Sequence, residues 1–252
     1  MSDGQTSESS CCQEARGDPK RVIAYLRDVL AGEERVRLES DILKFSLGSL
    51  LALALLGIGL FALGLGSEMR SSSYPILLLL GAGTSVMTVA SYNHMASYRK
   101  GMSCQNGMMV GMTAGMMSGF LSGALLGATN GMFIGSVAGC AIGIAVGIML
   151  GRFSGIMGAM EGIMAGLMSG TMGAMLSVMM INDNLMAFLL LLFGIAIIIF
   201  GGLSYMMFRE AGEVSGECQR PDLLVFFMSC AAFSMLLSIM MIYGPKGPIT
   251  IA

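Results

Sequence analysis

Between residues 157 and 179, methionine recurs at 157, 160, 164, 168, 172, 175 and 179, every three or four positions. At 100° per residue, these seven side chains fall within about 120° of a helix's circumference. A denser group, Met102, Met108, Met109, Met112, Met116 and Met117, precedes them, and sixteen of the 27 methionines lie between 102 and 180. Thioether sulfur is a soft, neutral ligand that selects Cu(I) over hard or borderline ions. A column of such donors down one helix could hand an ion between successive weak sites. The candidate donors are Met109, Met117, Met157, Met160, Met164 and Met168. The competing reading is packing. Methionine is flexible and fills irregular gaps, and a glycine-rich helix needs long partners to fill its grooves.

Glu161 stands within the methionine arc and is the one acidic residue inside a predicted span. An ionised side chain at mid-bilayer costs about 2.5–3.5 kcal/mol on insertion scales, which makes such a residue functional by default. It could accept a proton, as in an ion- or proton-conducting pore, or balance the charge of a cation. Arg152 and Lys100 are its candidate partners. Its place only about 9 Å beyond the start of its span equally allows it to snorkel toward the headgroups.

Cysteine and histidine add little on their own. Cys11, Cys12, Cys104 and Cys218 fall on one predicted side of the membrane, with Cys140 and Cys230 inside spans. No CxxC or comparable zinc spacing occurs, and a reducing cytosol argues against structural disulfides. His94, Met95, Met102, Cys104 and Met108 converge on one predicted edge, with Cys11 and Cys12 within reach, and would suit uptake of a soft metal. Taken singly, inert buried thiols and a helix-end histidine are the simpler reading. One histidine and one intramembrane acid provide no triad, carboxylate dyad or catalytic zinc site, so no enzyme is expected. The GxGxxG-like matches follow from composition and accompany no βα unit.

These side chains must be held by membrane helices. Of 252 residues, 55% are hydrophobic and 12% charged, and mean hydropathy is +0.77. Soluble domains are nearer a quarter charged. The expected fold class is all-α, a polytopic helical protein with the lipid bilayer as its surroundings. The net charge of −2 gives no reason to expect nucleic acid as a partner. A span needs about 20 mostly apolar residues. Seven are predicted, near 45–66, 74–95, 107–127, 131–151, 156–181, 185–208 and 223–243.

Residues 1–18 read as a disordered cytoplasmic tail whose polar start excludes a secretory signal peptide. Asp18-Pro19 is a good helix start, and 19–44 reads as an amphipathic juxtamembrane helix and its charged continuation. The seven-span domain covers 45–243, with a Gly/Met-rich core at 102–181, and 244–252 form a short external tail. With the N-terminus inside and the C-terminus outside, 12 Lys/Arg lie on the inner side against Arg70 and Lys246 outside. That asymmetry is what the positive-inside rule expects of a plasma or inner membrane protein.

Glycine sets the remaining pattern. An unbroken series at spacing four runs from Gly107 through Gly111, Gly115, Gly119, Gly135 and Gly139 to Gly155, then resumes as Gly158, Gly162, Gly166 and Gly170. One continuous helix over 107–155 would be about 75 Å long, more than two bilayers, so the ladder must fold back. Thr129-Asn130 and Arg152 to Ser154 are the polar places to do so. Glycine at i and i+4 lets another backbone approach closely, substituting for the hydrophobic drive that lipid cannot provide. Six glycines per span cover roughly 200° of circumference, enough for two neighbours or for a second copy of the chain. Over 107–173 the pattern resembles that of glycine-zipper membrane proteins, which implies tight helix packing but no particular activity. GMMVGMTAGMMSG at 107–119 also matches GAMEGIMAGLMSG at 158–170 in eight of thirteen positions. Either a helical hairpin is duplicated, as in some transporters, or low complexity has converged.

Overall fold

In the computed structural model, the described residues are 44–53, 74–97, 104–181, 183–211 and 223–244. They are helical apart from short turns, and no strand occurs among them. We number the helices α1 (Lys44–Leu53), α2 (Tyr74–Ser97), α3 (Cys104–Asn130), α4 (Met132–Gly151), α5 (Ile156–Met179), α6 (Leu185–Ala211) and α7 (Leu223–Tyr243). Six of them, α2 to α7, contain stretches long and apolar enough to cross a membrane. The first predicted span, 45–66, is described only as far as Leu53. The expected tail and amphipathic segment over 1–43, with Cys11 and Cys12, lie outside the described residues. So do Arg70, Lys100, Met102, Cys218, Arg220 and Lys246.

The glycine ladder folds back at its two polar interruptions. Between α3 and α4 stands a single residue, Gly131, with φ 92°; between α4 and α5 a 3-10 turn, Arg152–Ser154, ends on Gly155 with φ 91°. Side chains rarely tolerate that backbone region, so both reversals depend on glycine. The next turn uses Asn184 at φ 22°, a residue type that visits positive φ more readily than most.

Helices α3, α4 and α5 form a trio in which each packs along both others. The α3–α4 pair is antiparallel, and glycine meets glycine at successive turns. A Cβ added at Gly111 would stand 2.9 Å from Gly151 Cα, one at Gly115 2.9 Å from Gly147 Cα, and one at Gly139 2.7 Å from Gly123 Cα. The α4–α5 pair repeats the arrangement: a Cβ at Gly147 would lie 2.9 Å from Gly162 Cα. Gly143 is the crossing point. A Cβ there would stand 2.9 Å from Gly166 Cα and 3.0 Å from Gly119 Cα. No side chain fits these positions, and at that level backbone fills the middle of the trio.

The outer helices pack by conventional side chains. Leu77 and Leu80 of α2, Val110 and Leu126 of α3, Met207 of α6 and Leu237 of α7 share one buried cluster. Leu53 of α1 joins Val86, Phe226 and Cys230 in a second. Three buried hydroxyls of α2 are satisfied within the helix: Thr84, Ser85 and Thr88 donate to the carbonyls of Gly81, Ala82 and Thr84 at 2.7–2.8 Å. In an apolar setting, that back-bonding removes the cost of an unpaired hydroxyl.

Candidate functional site

The inward face of α5 is made of Gly158, Gly162, Ala165, Gly166, Ser169, Gly170, Gly173, Ala174 and Ser177, all buried. The outward face carries the methionines. Met157, Met160, Met164, Met168, Met172, Met175 and Met179 are 49–74% exposed. They do not fill gaps in the glycine core; they stand away from it. Leu185–Ala211 packs on α2 and α3 rather than covering this face. Glu161 is half-buried beside the column. Its candidate partner Arg152 is exposed, with its guanidinium 5.4 Å from the centre of the Phe153 ring.

Other methionines do pack. Met108 Cγ would lie 3.4 Å from a Cβ on Gly158, and the end of Met95 would lie 3.5 Å from one on Gly107. Met117 is half-buried in a cluster with Leu121 of α3 and Leu192 and Ala196 of α6. It therefore belongs to the α3–α6 contact, apart from the α5 column. Met109 of α3 is exposed. His94 is buried, with Nε2 3.4 Å from Ser204 Oγ of α6, so it sits between α2 and α6. Cys140 Sγ donates to the Leu167 carbonyl at 3.2 Å, a link from α4 to α5. Cys104 is the first residue of α3.

The α3–α5 register adds something that spacing along either helix does not reveal. The two helices run parallel, and Met108 meets Gly158, Gly119 meets Ser169 and Gly127 meets Ser177. Each pair is 50 positions apart, so the segments similar in sequence at an offset of 51 lie side by side. Met112, 42% exposed and one turn beyond Met108, is thereby level with Gly162 and Glu161. Treating the internal similarity as a packing register would have singled it out from sequence.

A different polar site closes the opposite end of α3. Asn130 is 2% exposed and its amide Nδ2 donates to the Met240 carbonyl of α7 at 2.5 Å. Its Oδ1 is buried without a hydrogen-bond partner. The amide thus ties the α3–α4 reversal to the end of α7.

Chemically, the α5 face offers neutral sulfur donors and one carboxylate. Among the described residues, no group of three or more His, Cys, Asp and Glu could hold a metal. No family model, no curated protein and no solved structure matches the chain.

Proposed function

We propose that this is a multi-pass membrane protein that moves or buffers a soft, Cu(I)-type ion along the methionine face of α5. In this reading the chain has seven spans, with the N-terminus in the cytoplasm, the C-terminus outside, and no enzymatic activity. The observation that carries it is the exposure of the α5 methionines. Seven thioethers stand in one column where the core does not use them, and soft donors in series are what a soft ion needs. With backbone in the middle of the α3–α5 trio, the path runs on the outside of α5 rather than through the trio. Protein purified anaerobically with Cu(I) is expected to retain copper, and combined Met160→Leu, Met164→Leu and Met168→Leu replacement to remove it while the protein stays folded. Unchanged copper in the folded triple variant overturns the reading.

A second reading is favoured by the same surface. Phe133, Val137 and Met149 of α4 are exposed, as are Met160 and Met164 of α5. A glycine-zipper scaffold presenting these side chains could be an assembly module with no transported ligand. It entails metal-free protein and a homo-oligomer in mild detergent, so elemental analysis and size separate it from the first.

A further inference from the structure

Glu161 stands level with methionines on two helices. On α5, its same-face neighbours four residues before and three after are Met157 and Met164, 67% and 74% exposed. Across the seam, the register of 50 brings Met112 of α3 to the same level. Met108, one turn earlier, already touches Gly158, one turn before Glu161. Small residues on α5 keep the seam tight, since Ala165 and Ser169 are buried on the side where α3 packs.

We propose that Met112, Met164 and Glu161 form a discrete binding site for a soft monovalent cation across the α3–α5 seam. This rests on the soft-ion reading of the α5 face and gives it a location and a charge rule. Two thioethers contribute no charge, so a monovalent ion bound by them keeps its +1 and the Glu161 carboxylate cancels it. The occupied site is neutral, which removes the penalty that lipid imposes on a lone ionised group. A divalent ion would leave a net positive charge. One carboxylate also provides too few oxygen ligands for Ca²⁺ or Mg²⁺. Sulfur donors therefore set the softness and the single acid sets the valence. Met168, Met172 and Met175 lie further along the same column and lack a comparable acid.

The test uses the full-length chain in detergent or lipid nanodiscs, with Ag(I) as a redox-silent probe, followed by Cu(I) under anaerobic conditions. Glu161→Gln preserves shape and removes charge. It is expected to weaken Ag(I) binding by about 10–100-fold, the range for losing a partner around a bound metal, without altering elution volume or helicity. Met112→Leu is expected to do the same and to lower the number of sulfur scatterers seen by X-ray absorption at bound Cu(I). Combined Met168→Leu, Met172→Leu and Met175→Leu replacement should leave this site's affinity unchanged, and Zn(II) should not compete. If Glu161→Gln and Met112→Leu bind Ag(I) like wild type while the Met168/Met172/Met175 variant loses it, the seam site is wrong and the column survives. If the wild-type protein binds neither Ag(I) nor Cu(I), both proposals fall.

Discussion

The two faces of α5 obey the same four-residue spacing and do opposite things. Gly162, Gly166 and Gly170 are buried against α4, while Met160, Met164 and Met168, each two residues earlier, are exposed. Two residues are about 200° of helical turn, so the pattern Met-x-Gly at every fourth position sends one residue type inward and the other outward. Glycine is there for its missing side chain: the α4–α5 contact brings backbones within reach of each other, and dispersion replaces the absent hydrophobic drive. Methionine is not complementary to that groove. The long side chains that cover glycine come from elsewhere, such as Met108 over Gly158. Packing and exposed methionines are thus distinct populations in one chain.

The comparison is easiest to break from the inside. A Cβ at Gly166 would stand 2.6 Å from the Gly143 carbonyl oxygen. Gly166→Leu is therefore expected to prevent α4 and α5 from docking, which costs more than the roughly 1–3 kcal/mol of ordinary overpacking because backbone cannot yield as a side chain can. Size-exclusion chromatography in mild detergent should show loss of the folded species. A native elution profile would mean that the contact is not needed.

An intermediate effect belongs to the clasp at the end of α3. Asn130→Ala removes the bond to the Met240 carbonyl and is expected to cost about 0.5–1.5 kcal/mol. It should appear as a lower midpoint of thermal unfolding in detergent, with hydrogen exchange increasing first near the end of α7. The outer face should be the most forgiving. Met164→Leu, at a 74% exposed position, is expected to change stability by less than about 0.5 kcal/mol. A large loss there would show that the methionine face is a protein–protein contact.

Much of this was legible in the chain because the signals are local. Apolar runs between polar interruptions mark six helices whose described bounds lie within a few residues of the predicted spans. The ladder reverses at Gly131 and at Arg152–Gly155, beside the two polar interruptions expected to turn it. Length alone required those reversals, since a helix rises only about 1.5 Å per residue and the bilayer core is about 30 Å thick. The helical spacing of Met157 to Met179 likewise placed them on one arc before any neighbour was known.

What the arc faces was not legible. Periodicity says which residues share a side, but not whether another helix covers it. The α5 methionines stand exposed while, among the described residues, α6 packs on α2 and α3. Separating Met117, against α6, from Met109, exposed, required the same information. So did Asn130, whose partner Met240 is 110 positions away. Met112 shares the level of Glu161 through the register of two helices separated by a third, which the sequence holds only as an internal similarity until the packing shows that the similar segments lie side by side. Helix and turn are decided by neighbours in sequence. Side-chain surroundings are decided by which backbones glycine allows to meet.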